Sequence, residues 1–80
     1  MAVRAFRGAI QLDVDERSHL LQSTAELLTR MLHDNNLDVA DLISISFSAT
    51  PDIKSEFPAV GARELGLEDV PLMCFVEMDV

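Results

Sequence analysis

A small α/β (α+β) domain, with a mixed sheet packed against one long and one short helix, is the fold class this sequence predicts. Three observations carry that prediction. Between Leu42 and Ala49, Ile43, Ile45, Phe47 and Ala49 alternate with Ser44, Ser46 and Ser48, the period of two expected of a strand with one buried face. Between Asp15 and His33, Leu20, Leu21, Leu27, Leu28, Met31 and Leu32 recur at helical spacing, which makes one apolar stripe. The chain has 80 residues, of which 49% are apolar. That length allows one domain at most, whose own core supplies only about 3–5 kcal/mol, so burial against copies of itself is expected.

The elements follow in order. Val3 to Gln11 reads as a strand, with Val3, Ala5, Arg7 and Ala9 on one face and Arg4, Phe6 and Ile10 on the other. Asp13-Val-Asp-Glu brings turn chemistry and acid to a helix start, with Asp15 as the expected N-cap. The helix runs to about His33, Thr24 and Ala25 filling its middle turn, and Asn35 and Asn36 end it because asparagine tolerates the left-handed conformation. Asp38 to Asp41 reads as a short helical turn capped by Asp38, followed by the strand Leu42 to Ala49. Thr50-Pro51-Asp52 turns the chain, Pro58 suits the first turn of a helix over Ala59 to Leu65, and Gly66 closes it. Pro71 introduces a third, very apolar strand from Leu72 to Val80. No repeat, low-complexity tract or linker interrupts residues 1–80.

Fourteen acidic and six basic residues give a net charge of −8. Phosphate neutralisation needs a basic patch, so nucleic acid is a poor partner, and an anionic membrane surface fails for the same reason. No apolar run approaches the roughly 20 residues of a membrane span, and Met1 to Gly8 has no sustained apolar run of the kind a leader requires. A single cysteine excludes an internal disulfide and fits a reducing cytoplasm.

His19 and His33 lie on the long helix without a Cys or acidic residue at metal spacing, so both read as exposed helix residues and no metal is expected. No base stands in a recognisable relation to the serines of the second strand, and the three glycines form no phosphate loop. Arg7 stands among apolar neighbours, where a guanidinium requires an anion or a route to water. From the residues alone two readings stay open: a strand-end arginine reaching the rim, or an anion-binding arginine. Glu77, in an apolar strand, needs a hydrogen bond or a mouth. Cys74 reads as a small hydrophobe, and a spacing of three places it opposite Glu77 on a regular strand. Arg63 reads by default as a surface residue.

Arg-Gly-Ala at residues 7–9, Ser-Ala-Thr-Pro-Asp at 48–52, Phe-Pro-Ala at 57–59, Ala-Arg-Glu-Leu at 62–65, Val-Pro-x-x-Cys at 70–74 and Glu-Met-Asp-Val at 77–80 occur in one order and spacing. In that arrangement the chain resembles the AroH-class chorismate mutases over essentially all of its length, corresponding to about the first two-thirds of such an enzyme. Residues 1–80 are thus expected to be one incomplete domain of that type.

The resemblance implies a homotrimeric pseudo-barrel with active sites between neighbouring subunits. It also implies the pericyclic conversion of chorismate to prephenate in aromatic amino-acid biosynthesis, with no cofactor. Arg7 matches the family arginine that binds a substrate carboxylate near the ether oxygen, and Glu77 the glutamate that accepts a hydrogen bond from the ring hydroxyl. Cys74 and Met73 match the wall beside it. Phe57, Ala59 and Arg63 match residues given by the adjacent subunit, and Val60 stands where relatives often carry lysine. The resemblance places a second arginine and a tyrosine beyond residue 80. Two other readings accompany it: a non-catalytic trimeric module that binds small carboxylates, and a deaminase-type relative on the same fold.

Overall fold

A computed structural model describes residues 2–80. Helix α1 spans Arg17–Asp34, a 3-10 turn Val39–Asp41, strand β1 Ile45–Ala49, helix α2 Pro58–Glu64 and strand β2 Leu72–Val76. The two strands pair in parallel, Ile45 opposite Leu72 and Ala49 opposite Val76. Parallel neighbours cannot be joined by a tight turn, and α2 forms the crossover between them.

The helix ends follow from local chemistry. Glu16 occupies the N-cap of α1 in extended conformation without a side-chain cap bond; Asp15, the expected cap, is engaged elsewhere. At the other end Asn36 takes φ 52°, which lets the Leu37 N–H return to the Leu32 carbonyl at 2.9 Å. Pro58 opens α2, its missing N–H being one no helix partner would take. Gly66 at φ 101° turns the chain after α2, a conformation costly to any residue with a Cβ. The Asp38 backbone N–H donates to the Asp41 carboxylate at 3.1 Å across the 3-10 turn.

The core is built from the expected faces. Leu20, Leu21, Thr24 and Leu28 of α1 are buried, and Leu27, Met31 and Leu32 half-buried. The Thr24 hydroxyl is satisfied by the Leu20 carbonyl at 2.8 Å. Leu28 meets Ala62, Leu67 and Val70, with Leu42, Ile45, Phe47 and Leu72 packed around them. Along β1, Ile45, Phe47 and Ala49 turn inward while Ser46 and Ser48 stay exposed. Ile43 precedes the strand and is exposed. The helices meet at Gly61: a Cβ there would lie 2.9 Å from Thr24 Cβ and 3.1 Å from its Cγ2, so any larger residue forces α1 away from α2.

Four expectations need correction. Val3 to Gln11 is not a strand; its described residues carry no ladder and are exposed. The segment runs over α1, with Gly8 so close that a Cβ would lie 2.9 Å from Met31 Sδ and 3.2 Å from Leu27 Cδ1. A strand needs a lateral partner, and this segment forms a ladder with neither β1 nor β2. Among the described residues the sheet is a parallel pair rather than a mixed sheet. Both strands are also shorter than expected, starting at Ile45 and stopping at Val76. Finally, His19 is half-buried, its Nε2 accepting the Asp13 backbone N–H at 3.3 Å.

Candidate functional site

In open α/β sheets, ligand-contacting groups gather outside the carboxyl ends of the parallel strands. Here those ends belong to Ala49 and Val76, which are register partners. The Glu77 N–H donates to the Ala49 carbonyl at 2.8 Å, so Glu77 stands one step beyond the ladder, beside the point where β1 gives way to the turn at Thr50. That turn is closed by the Ile53 N–H on the Thr50 carbonyl at 3.1 Å and leads to Phe57 and α2. Glu77 and the segment carrying Phe57 thus leave the sheet from the same end.

Met73 and Cys74 lie within β2, opposite Ser46 and Phe47. Both are exposed, as is Glu77, so burial in an apolar strand, expected for Cys74 and Glu77, does not hold within one chain. Phe57 is 67% exposed although it is a large apolar residue, and Arg63 is exposed in the last turn of α2. Ala59 is buried. Arg7 is exposed rather than set in a buried face. It lines an open groove of about 410 Å³ between its own segment and α1, with Gly8, Ile10, Leu27, Arg30 and Met31. None of the other six named residues lines that groove. Among the described residues no His, Cys, Asp and Glu cluster forms a metal centre, and no helix is long and apolar enough to cross a membrane.

One arrangement escaped the sequence reading. Asp15 accepts the backbone N–H groups of Lys54 at 3.0 Å and Ser55 at 3.1 Å. The adjacent Ser55 hydroxyl, with the Lys54 amide next in effect, holds its carboxyl below the ordinary range. Next to Ser55, Glu56 accepts the Phe57 N–H at 2.9 Å and the Arg17 Nε–H at 2.9 Å. The Phe57 amide and then Arg17 lower its carboxyl in turn. The two partners lie 39 and 40 positions from Asp15, and no local pattern announces such a pairing.

The chain matches the family model described as chorismate mutase type I over residues 3–80. It is 40% identical over 81 aligned positions to chorismate mutase AroH of Bacillus subtilis (strain 168), covering 100% of this chain and 64% of that protein. It is 39% identical over 79 positions to chorismate mutase AroH of Thermus thermophilus, covering 98% of this chain and 65% of that one. A solved chorismate mutase from Clostridium thermocellum superimposes with a TM-score of 0.83 at 36% identity, over 86% of this chain and 62% of the other. The chain therefore spans a little under two thirds of the length of these relatives.

Proposed function

Because the chain belongs to the type I chorismate mutase family, we propose that it serves the isomerisation of chorismate to prephenate in aromatic amino-acid biosynthesis. The observation that carries the reading is the family match across residues 3–80. In support, Arg7 and Glu77 stand exposed and Glu77 lies at the carboxyl end of the parallel pair.

The reaction is a pericyclic rearrangement. It proceeds without nucleophile or proton transfer, so catalysis consists of holding the folded conformer and placing positive charge where the breaking C–O bond becomes electron-rich. Arg7 supplies that charge and a rigid fork of donors toward a substrate carboxylate. Glu77 accepts from the ring hydroxyl, Met73 and Cys74 form the wall beside it, and Phe57, Ala59 and Arg63 complete the cleft from the neighbouring subunit.

A homotrimer with sites between subunits belongs to this reading, Phe57, Ala59 and Arg63 of one subunit meeting Arg7 and Glu77 of the next. Met73, Phe75, Val76 and Met78 are exposed, which supplies apolar surface for that assembly. The single free thiol, Cys74, is compatible with a reducing cytoplasm.

The test is the loss of chorismate absorbance with time in the presence of the folded chain, against buffer alone. Faster loss with prephenate as product is the expected result. Binding of chorismate without conversion favours the non-catalytic module, and a folded chain that does neither overturns the assignment.

A further inference from the structure

We propose that Asp15, together with the Arg17–Glu56 pair, acts as a positioning device that sets the substrate-facing side chain of Phe57; this rests on the function proposed above. Two carboxylates take three backbone N–H groups of one short stretch. Asp15 takes Lys54 and Ser55, and Glu56 takes Phe57. Both carboxylates are tied to the start of α1: Asp15 is two residues before the helix, and Glu56 is gripped by Arg17, its first residue. Among the described residues, the other backbone bonds of the segment between β1 and α2 are local ones, the turn bond at Ile53 and the Val60 N–H on the Phe57 carbonyl. Its fixed path therefore comes from α1 rather than from the sheet.

Phe57 is the residue this arrangement controls. It is the N-cap of α2 in extended conformation, and its side chain makes no cap bond. Its ring is 67% exposed, so the ring is not located by packing and its direction is set by the backbone beneath it. An exposed ion pair alone contributes little, and Arg17 is 59% exposed at its side chain. The arrangement differs because each carboxylate also closes on backbone amides, and hydrogen bonds to charged acceptors are the stronger kind. Displacing a substrate-contacting group by about 1 Å can cost on the order of a hundredfold.

The experiment compares wild type, Asp15→Asn and Asp15→Ala for chorismate turnover and for amide exchange. Asparagine keeps one acceptor oxygen, alanine neither. In Asp15→Ala the KM for chorismate is expected to rise about tenfold with kcat within about twofold, and Asp15→Asn is expected to fall between. The Lys54, Ser55 and Phe57 amides should exchange faster while those of Leu20 to Leu28 keep wild-type protection. A fall in kcat at unchanged KM, or slackened protection throughout α1, would mean a general loss of folded protein and overturns the positioning role. Unchanged KM and kcat overturn it equally. If wild type neither binds nor converts chorismate, the proposed function itself fails and this role falls with it.

Discussion

Arg7→Ala is expected to lower kcat for chorismate by about 10²–10³-fold, roughly 2.7–4 kcal/mol of transition-state stabilisation, the usual cost of removing one preorganised donor to developing charge. The effect should fall on chemistry and not on folding. Arg7 is exposed, takes part in none of the described ion pairs, and sits on a segment that belongs to no ladder. Circular dichroism and the oligomeric state should therefore match wild type. Arg7→Lys tests the same point more finely: it keeps the charge but loses the fork, and is expected to recover only part of the rate. Wild-type kcat in Arg7→Ala would remove this residue from the reaction.

Leu67→Ala is expected to cost about 2–5 kcal/mol, the range for emptying a buried leucine site. Leu67 is 2% exposed and one of the two largest fully buried side chains. It follows Gly66 at the stop of α2, its N–H bonded to the Ala62 carbonyl at 3.1 Å, and joins Leu28, Ala62 and Val70 in the core. Leu28 and Ala62 belong to helices and cannot collapse freely into the space left behind. Against the few kcal/mol that a domain of this size holds, such a loss leaves much of the chain unfolded at room temperature. The urea midpoint of unfolding measures it, at fixed protein concentration because any self-association would add stability by mass action. Leu65→Ala, two positions earlier and 41% exposed, is the control and should move the midpoint far less. Equal shifts for the two would refute this account of the core.

The elements that periodicity could announce were legible. The stripe from Leu20 to Leu32 located α1, the Ile45–Phe47–Ala49 alternation located β1, and Pro58 with Gly66 bracketed α2, because each pattern records a face the chain buries locally. Val3 to Gln11 shows the limit of such patterns: alternation distinguishes two faces but does not supply the neighbouring strand that makes a ladder. Asp15 shows another. An acid before a helix reads as a cap, yet its partners are the amides of Lys54 and Ser55, brought close only by the fold. Gly61 carried no signal either, since the nearness of Thr24 depends on how the two helices cross. For the candidate site, charge scarcity drew notice to Arg7. The roles proposed for Phe57, Ala59, Arg63, Met73, Cys74 and Glu77 came from resemblance, because residues that serve a ligand rather than a buried face leave no periodic trace.

The parallel pairing of β1 with β2 also governs how the domain comes together in time. No short hairpin can zip these strands; residues 45–49 must wait until α2 has carried the chain back to residues 72–76. That demand for a distant contact before any ladder bond forms slows folding relative to a helical pair of the same length. It also makes the sheet the last structure gained and, with α2, a single cooperative unit. Ile45 and Ala49 bond across to the residues flanking β2, so Phe47 between them faces the same partner. Opening α2 releases the link that holds the two strands in register, and the Phe47 amide proton should be exchanged only in events that disrupt that whole unit.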